Sequence, residues 1–178
     1  YRWCQSPDFR DMTISARRLK LRQGRYVPIS TEEFGRRVKH FCLGLRELGL
    51  GKGDKIVILS ENRPEWVMAD MAHMCLGAIT VPIYTSLVPE QIRYIIQDSD
   101  AKAVFVSGQD QWQKIDAIRS DLKTVRHFIT LMDNPPPGTL TFDQVRLLGE
   151  KLEARNPGLF EKLALEIRPD DEASLIYT

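Results

Sequence analysis

The chain has 178 residues, of which 43% are hydrophobic and 28% charged, and its formal net charge is +1. A chain of this length buries about 70% of the surface that its unfolded form exposes, so we expect one domain, or one large subdomain of a bigger protein, with a substantial core. The ordinary composition argues against a disordered, collagen-like or coiled-coil protein. Charges of both signs are interspersed, which argues against a nucleic-acid-binding arm or a polybasic membrane patch.

The sequence carries no pattern of export or membrane insertion. No run reaches the roughly 20 apolar residues of a membrane-spanning helix, and no signal-peptide pattern opens the chain. Cys4, Cys42 and Cys75 are an odd number of cysteines without metal-like spacing, which favours free thiols in a reducing compartment. We therefore predict a cytoplasmic protein.

Two apolar runs near the start predict a peripheral β-hairpin. Met12 to Leu21 alternates loosely between apolar and polar residues, and Arg25 to Ile29 follows after Gln23-Gly24. A glycine-containing turn between two such runs is typical of a hairpin. Residues 1–11 contain Pro7 and scattered polar groups and predict no particular element.

The first helix is predicted by its ends as well as by its periodicity. Ser30 with Glu33 three residues later forms a capping-box pattern, and Gly49 followed by Leu50 is typical of a Schellman ending. Apolar residues at helical spacing predict one buried stripe between these ends. The stripe consists of Phe34, Val38, Phe41, Cys42, Leu45 and Leu48.

The stretch from Asp54 to Tyr84 predicts a βαβ unit. Lys55 to Ser60 and Ile79 to Tyr84 are short apolar runs rich in β-branched residues, as in strands buried on both faces. The helix between them has Pro64 near its start and Gly77 at its end. Such a unit forms a right-handed crossover in a parallel sheet. The residues placed at helical spacing for its buried face are Trp66, Val67, Met71, Met74 and Cys75.

The rest of the chain predicts elements that extend this sheet. Further strands are expected over residues 103–106, 128–131 and 173–178, with helices from Pro89, from about Asp110 to Leu122, and after Thr141. Residues 134–138 contain three prolines and predict a loop, and residues 159–167 fit either a short helix or an extended passage. The predicted fold class is α/β, with a mostly parallel sheet flanked by helices and the hairpin at its periphery.

The residues alone do not define a complete active site. The sequence has no G-x-S-x-G elbow, no G-x-G-x-x-G after a strand, no complete Walker loop and no H-E-x-x-H. His40, His73 and His127 lie far apart in the sequence, so we expect structural or solvent-facing roles for them. Without further comparison, these features predict a soluble α/β domain of undefined function.

Several stretches nevertheless occur together in a recognisable order. They are residues 56–66 (Ile-Val-Ile-Leu-Ser-Glu-Asn-Arg-Pro-Glu-Trp), 77–84 (Gly-Ala-Ile-Thr-Val-Pro-Ile-Tyr), 89–92 (Pro-Glu-Gln-Ile), 98–99 (Asp-Ser), 168–171 (Arg-Pro-Asp-Asp) and 176–178 (Ile-Tyr-Thr). This set resembles the N-terminal region of AMP-forming acyl-CoA synthetases, which belong to the adenylate-forming superfamily. Residues 62–66 and 81–84 are most similar to the long-chain fatty acyl-CoA synthetase branch. The resemblance runs from about Tyr26 to Thr178.

The resemblance implies that residues 1–178 are the N-terminal part of a large AMP-binding domain, without the rest of that domain or a C-terminal domain. Such enzymes use ATP to convert a carboxylate into an acyl-adenylate with release of pyrophosphate, and then transfer the acyl group to coenzyme A. Pyrophosphate leaves only when its growing charge is met by N–H groups, Mg²⁺ and a lysine. In the family almost all of these groups follow the position of Thr178. We therefore expect an inactive fragment with no catalytic residue of its own.

Two site residues follow from the resemblance. In the family a Tyr-Thr pair opens a Ser/Thr/Gly-rich phosphate loop, which implies that Tyr177 and Thr178 bind the nucleotide cofactor and that the Thr178 hydroxyl meets Mg²⁺ or phosphate. A packing role for Tyr177 and a ligand-free end at Thr178 stay open. Other residues that match the family pattern are expected to hold the βαβ unit together rather than touch substrate: Glu61, Arg63, Glu65 and Trp66.

The resemblance also implies partners. The full-length enzyme would use ATP, Mg²⁺, coenzyme A and a fatty acid, whereas the fragment itself would hold none of them. No nucleic acid and no transmembrane segment are expected, and a homodimer is compatible with the family. Association with the inner face of the membrane is an alternative to a free cytoplasmic location. The alternatives in function are a short-chain, medium-chain or aryl acid–CoA ligase fragment, and a separate non-catalytic binding or oligomerisation module.

Overall fold

The computed structural model describes the backbone of residues 19–22 and 25–178, and side chains from residue 28 onward. Strands β1 (Leu19–Arg22) and β2 (Arg25–Pro28) pair antiparallel, with Leu19 opposite Pro28. This pairing confirms the predicted hairpin over those residues. The expectations for residues 1–18 and for the turn at 23–24 lie outside the described residues.

The central sheet is parallel throughout its described strands. These are β3 (Lys55–Leu59), β4 (Ile79–Ile83), β5 (Ala103–Val106), β6 (His127–Thr130) and β7 (Leu140–Thr141). They lie in the order β4-β3-β5-β6-β7. Because β3 and β4 are parallel neighbours, the predicted βαβ unit is confirmed. The strand β6 begins and ends one residue earlier than predicted.

Helices connect the strands and cover both faces of the sheet. They are α1 (Thr31–Glu47), α2 (Pro64–Leu76), α3 (Pro89–Asp98), α4 (Gln109–Asp116), α5 (Phe142–Arg155) and α6 (Leu159–Leu165). The helix predicted from Asp110 to Leu122 divides into α4 and a 3₁₀ turn over Arg119–Asp121. The ambiguous stretch 159–167 is largely helical. Within the described ranges, no helix combines the length and apolar character needed to cross a bilayer.

Alternate residues of each strand face two separate apolar cores. Ile56, Ile58 and Phe105 belong to the core under α1, α2 and α5. Val57, Leu59 and Val104 belong to the core under α3 and α4. Side chains alternate between the faces of a strand, and both sets are fully buried. The fold is therefore a three-layer α/β arrangement, as the continuous apolar strands predicted.

The ends of α1 largely follow the sequence prediction. The Ser30 hydroxyl accepts a hydrogen bond from the Glu33 N–H at 3.1 Å. The Glu33 carboxylate turns to two arginines of the next helical turn, so only one half of the capping box forms. Gly49 has φ +81°, and the Leu50 N–H bonds to the Leu45 carbonyl at 3.1 Å. These features confirm the Schellman ending.

The buried face of α2 agrees with the predicted one only in part. Met68, Ala69 and Ala72 are fully buried, whereas Val67 and Met74 are exposed. Trp66, Met71 and Cys75 are half-buried and pack against the core under α1, α2 and α5, as predicted. A run that is apolar on most sides of a helix does not fix which stripe faces the sheet. Here the small side chains of Ala69 and Ala72 lie on the buried face.

The strand predicted over residues 173–178 is wrong except at one position. Ser174 forms an isolated parallel bridge with Thr80 on the outer edge of β4. The Leu175 N–H donates to the Thr80 carbonyl at 2.9 Å, and the Thr80 N–H donates to the Ala173 carbonyl at 3.0 Å. The next donor on that edge of β4 would come from Pro82, which has no N–H. The ladder therefore stops after one bridge.

Candidate functional site

The direction of the chain connections reverses between β3 and β5. The chain leaves β3 for α2, which lies over one core, and leaves β5 for α4, which lies over the other. Two loops that diverge from adjacent strand ends leave a crevice, and open α/β sheets bind their ligands at this kind of position. We call this position the β3–β5 crevice; its walls are residues 60–63 and 107–111.

Polar side chains join the two walls of the crevice. Gln111 Nε2 donates to Glu61 Oε1 at 3.0 Å. Arg63 donates from one terminal nitrogen to the Ser107 carbonyl at 3.3 Å, and its Nε lies 3.3 Å from Glu65 Oε2. These contacts hold the loop after β3 against the loop after β5. Of these contacts, only the one between Arg63 and Glu65 lies within the βαβ unit, so the expected role of Glu61, Arg63 and Glu65 in holding that unit together stays a prediction.

The crevice holds a carboxylate and a buried amide. The pKa of the Glu61 carboxyl is held below its ordinary value, chiefly by the neighbouring Ser107 hydroxyl and also by Gln111 and Arg63. Glu61 is therefore ionised at neutral pH. Ser107 and Gln111 are buried, and within the described part of the chain Gln111 Oε1 has no donor. A buried acceptor without a donor costs free energy that a ligand N–H or O–H would offset.

The start of α4 adds backbone donors to the crevice. Gly108 precedes the helix with extended backbone, and it has no side chain that could cap the first turn. A Cβ at Gly108 would meet nothing within 4 Å among the described residues. No side chain caps the N–H groups of the first helical turn, so these groups can donate to a polar ligand. The crevice offers donors and acceptors for binding, but its described residues include no paired nucleophile and base.

The two residues predicted to bind the cofactor lie away from this crevice. The Tyr177 hydroxyl donates to Asp98 Oδ2 at 2.7 Å, and its ring lies edge-on to Tyr94 at 6.4 Å. Burial and the Asp98 carboxylate raise the pKa of Tyr177 to about 12. Thr178 is exposed. Since β4 lies between this segment and β3, the structure does not bring Tyr177 and Thr178 together with the β3–β5 crevice.

A magnesium site is not complete within the described residues. No group of three His, Cys, Asp or Glu side chains there is placed to hold a metal ion. Thr178 would supply a single neutral hydroxyl, whereas Mg²⁺ prefers carboxylates and phosphate oxygens in octahedral geometry. The residues present do not fit a protein-held Mg²⁺ site, and we assign no step to the ion.

The histidines have the structural roles expected of them. His73 is fully buried, with Nδ1 3.0 Å from the Thr80 hydroxyl. His40 Nε2 lies 2.9 Å from a Glu153 carboxylate oxygen, and His127 Nε2 lies 3.0 Å from a backbone carbonyl. Each histidine therefore joins neighbouring elements. The described cysteines, Cys42 and Cys75, are free thiols, and Cys4 lies outside the described residues.

Sequence reasoning missed Ser107 and Gln111 as crevice residues. A signal was present, because polar residues directly follow two buried strands: Ser60 and Glu61 after β3, and Ser107 after β5. The carboxyl ends of parallel strands meet at one edge of a sheet. The strand order could not be predicted from the sequence. It places β5, rather than a later strand, beside β3.

Comparisons with known proteins agree with this architecture. The profile of the AMP-binding enzyme family matches residues 9–178. A long-chain-fatty-acid–CoA ligase of Mycobacterium bovis is 30% identical over 159 residues, which cover 89% of this chain and 26% of that protein. Fatty acyl-CoA synthetase A of Dictyostelium discoideum is 31% identical over 165 residues, covering 88% of this chain and 24% of that protein.

Solved structures give the same result. A fatty acyl CoA synthetase of Mycobacterium tuberculosis superposes with a TM-score of 0.67 at 25% identity, over 86% of this chain and 28% of that one. The anthranilate CoA ligase AuaEII, in complex with anthranoyl-AMP, superposes with a TM-score of 0.68 at 26% identity. That match covers 79% of this chain and 26% of the other.

The parallel sheet with helices on both faces is the fold of the N-terminal domains of adenylate-forming enzymes. This fold and the profile match agree with the resemblance to adenylate-forming enzymes that the sequence motifs indicated. The chain belongs to the AMP-binding enzyme family. It spans about a quarter of the length of the curated relatives described above.

Proposed function

We propose that this chain is the N-terminal part of an ATP-dependent long-chain fatty acid–CoA ligase. The observation that supports this most directly is the match of the family profile over residues 9–178, together with relatives that are named as fatty acid–CoA ligases. The reaction would form an acyl-adenylate and pyrophosphate from a fatty acid and ATP, and would then form a thioester with coenzyme A. The cytoplasmic location and the homodimer stay predictions.

Residues 1–178 alone are inactive in this proposal. The chain corresponds to about a quarter of the length of the ligases that it resembles. Its described residues offer a binding crevice without a paired nucleophile and base, and the stabilisation of departing pyrophosphate requires several converging cations and N–H groups. The chain would contribute the folded sheet, the β3–β5 crevice and the cofactor contacts at Tyr177 and Thr178.

The test is fatty-acid-dependent release of pyrophosphate, measured for the 178-residue chain and for the full product of the gene that encodes it. We expect release by the full product with ATP, coenzyme A and a long-chain fatty acid, and none by the 178-residue chain. A full product that folds but releases no pyrophosphate with any acid would contradict the ligase. Clear turnover by the 178-residue chain would contradict its inactivity.

The acid itself is decided by a substrate panel. The structural match to an anthranilate CoA ligase favours an aryl acid as the second candidate. Saturated acids of increasing length and benzoate derivatives should be compared by kcat/KM in the full product. We expect kcat/KM to rise with chain length and to be lowest for the aryl acids, and a preference for an aryl acid would replace the long-chain assignment.

The predicted role of Thr178 has its own test in the full product. Thr178→Val removes the hydroxyl proposed to meet phosphate or Mg²⁺, so kcat/KM for ATP should fall by about tenfold or more. Thr139→Val is the matched control, because the Thr139 hydroxyl bonds to the Pro136 carbonyl at 2.7 Å within a surface loop. An equal effect of both variants would indicate a structural role for Thr178.

A further inference from the structure

A polar cavity lies on the side of the sheet that α1 and α5 cover. It is a cleft of about 400 Å³ beside the end of β6. Three of its lining side chains are arginines from separate elements: Arg37 of α1, Arg63 immediately before α2, and Arg146 of α5. We call this cavity the arginine cleft. It shares Arg63 with the β3–β5 crevice.

Each arginine of the cleft is held in place by a neighbouring carboxylate. Arg37 Nε lies 2.5 Å from a Glu33 oxygen, and Arg146 donates to Asp143 Oδ1 at 2.7 Å. The side chains of Arg37, Arg63 and Arg146 are only 20%, 35% and 22% exposed. Because these side chains are already restricted, a ligand that binds them has little conformational entropy left to remove.

Arg146 also has an unused donor inside the wall. Its Nε is buried and, among the residues that the structure describes, has no hydrogen-bond acceptor. A guanidinium is always charged and presents its five N–H groups in a planar fork. A buried charged donor without an acceptor is costly. An oxyanion that takes the place of the Asp143 carboxylate would accept hydrogen bonds from the terminal nitrogens of Arg146, which donate in a planar fork.

Carboxylates line the cleft as well. The cleft can favour an anion only if these carboxylates are paired or can turn away from the arginines. Glu65 is buried and paired with Arg63. Asp143 is 77% exposed, so its carboxylate has room to turn toward solvent when another anion takes its place. Asp133 is also exposed. The start of α5, at Thr141 and Phe142, lies in the same wall and adds the positive end of a helix dipole.

We propose that the arginine cleft binds a multiply charged phosphate oxyanion through Arg146, Arg37 and Arg63. The ligand is either free pyrophosphate or phosphate, or a phosphate group carried by coenzyme A or a nucleotide. Exchange of the Arg146–Asp143 contact for an Arg146–phosphate contact opens the site, and no covalent step is involved. The proposal depends on the geometry of the cleft and not on the proposed ligase reaction.

The test is an NMR titration of the 178-residue chain with pyrophosphate at constant ionic strength, following the arginine Nε–Hε signals. We expect saturable shifts for Arg146, Arg37 and Arg63. Arg146→Gln should weaken binding about tenfold or more, because a charged bidentate contact is lost. Arg155→Gln is the matched control on the same helix, since Arg155 pairs with Glu47 away from the cleft, and it should leave binding unchanged.

Asp143→Asn should change the affinity for pyrophosphate in the opposite direction from Arg146→Gln. It removes the carboxylate that competes for Arg146, so pyrophosphate should bind severalfold more tightly. Asp143 is well exposed, and this variant should therefore fold normally. Weaker binding in Asp143→Asn, or equal losses in Arg146→Gln and Arg155→Gln, would overturn the proposal. If Arg146→Gln fails to fold, Arg146→Lys keeps the charge but loses the planar fork, and it should still bind less tightly.

Separate titrations distinguish the sources of the phosphate. Inorganic phosphate, pyrophosphate, coenzyme A and dephospho-coenzyme A are compared at equal ionic strength. Tightest binding of pyrophosphate assigns the cleft to the free anion, and preference for coenzyme A over its dephospho form assigns it to the carried phosphate. No saturable shift with any of the four up to about 10 mM, a concentration that would detect Kd values in the millimolar range, would show that the cleft is not an anion site.

Discussion

At the residue scale, the contact between α1 and α5 depends on two glycines. A Cβ at Gly149 would lie 1.8 Å from the His40 carbonyl oxygen, and a Cβ at Gly44 would lie 1.9 Å from the Val145 carbonyl oxygen. Real side chains do not approach a backbone oxygen this closely. The two helices can therefore pack at this distance only while both positions lack a side chain.

Gly149→Ala should destabilise the protein, because the clashing atom belongs to the backbone of α1 and cannot rotate away. Overpacking of this kind costs about 1–3 kcal/mol. The matched control is Gly35→Ala in α1, where a Cβ would meet nothing within 4 Å among the described residues. That variant should gain about 0.5–1 kcal/mol from helix propensity. Urea unfolding measures both, and a neutral Gly149→Ala would show that the helices separate at little cost.

His73 gives the molecule a pH dependence at mildly acidic pH. Complete burial lowers the pKa of His73 from 6.5 to about 3. Between these values the unfolded chain binds a proton that the folded chain does not, so stability falls as the pH falls. From about pH 7.5 to about pH 5.5 the loss from this one group is about 1.4 kcal/mol.

His73→Asn is the variant that isolates this effect. Asparagine keeps a polar atom near the position of Nδ1, which contacts the Thr80 hydroxyl, and it does not titrate. His40 and His127 are present in both proteins, so the difference in the pH slope of the unfolding free energy belongs to His73. Parallel slopes between about pH 5.5 and about pH 7.5 would mean that His73 becomes protonated in the folded state.

At the element scale, helix ends were easier to predict than helix faces. The Ser30 hydroxyl caps α1 as its spacing to Glu33 indicated, and the Thr141 and Gln144 side chains cap α5 reciprocally, because capping is a contact between residues three apart. The buried face of α2 was predicted only in part, since Trp66, Met71 and Cys75 pack against the core whereas Val67 and Met74 do not. Its choice of Ala69 and Ala72 over Val67 and Met74 depends on the sheet and helices that surround it, and a helix that is apolar on most sides does not encode that choice.

The triproline loop is an element whose position depends on one side chain. Arg119 donates to the carbonyls of Pro137 and Gly138 at 3.1 and 3.2 Å. Its guanidinium carbon lies 5.4 Å from the ring centre of Trp112 and 4.9 Å from that of Phe128. Prolines donate no N–H groups, so the loop is fixed mainly through its carbonyls. Arg119 thus joins the loop to the core under α3 and α4.

Arg119→Met keeps the aliphatic stem and removes the hydrogen bonds and the cation–π contacts. We expect a loss of about 1–2 kcal/mol in the free energy of unfolding and faster proteolysis within residues 134–138. Arg93→Met is the control, because Arg93 forms a surface ion pair with Asp121, and such pairs contribute about 0–1 kcal/mol. Unchanged proteolysis in Arg119→Met would show that the prolines hold the loop by themselves.

At the scale of the whole molecule, the parallel sheet was predictable and its order was not. Strands β3, β4, β5 and β6 are centred on short, mostly apolar runs, and the spacing of β3 and β4 indicates a crossover. The position of β5 on the other side of β3, and therefore the β3–β5 crevice, depends on which face α3 covers. The arginine cleft was not predictable for the same reason, since its arginines are more than 25 residues apart in the sequence and meet only in the folded chain.

The sheet should be least stable at its outer β4 edge, where residues 173–175 add a single bridge. The Leu175 N–H depends on one bond to Thr80, and the preceding turn is held by a 2.5 Å contact between Lys52 and Asp171. Native-state hydrogen exchange should show the Leu175 amide opening at low free energy, whereas amides of β3 and β5 open near the global value.

Lys52→Met removes the charged contact at the preceding turn, so the Leu175 amide should exchange up to about fivefold faster, with β3 unchanged. Lys102→Met is the control, because Lys102 pairs with Asp100 away from this edge. Equal protection of Leu175 and β3 would mean that residues 173–175 form part of the cooperative sheet. In that case the segment that carries Tyr177 and Thr178 would be attached to the sheet more stably than its single bridge to β4 indicates.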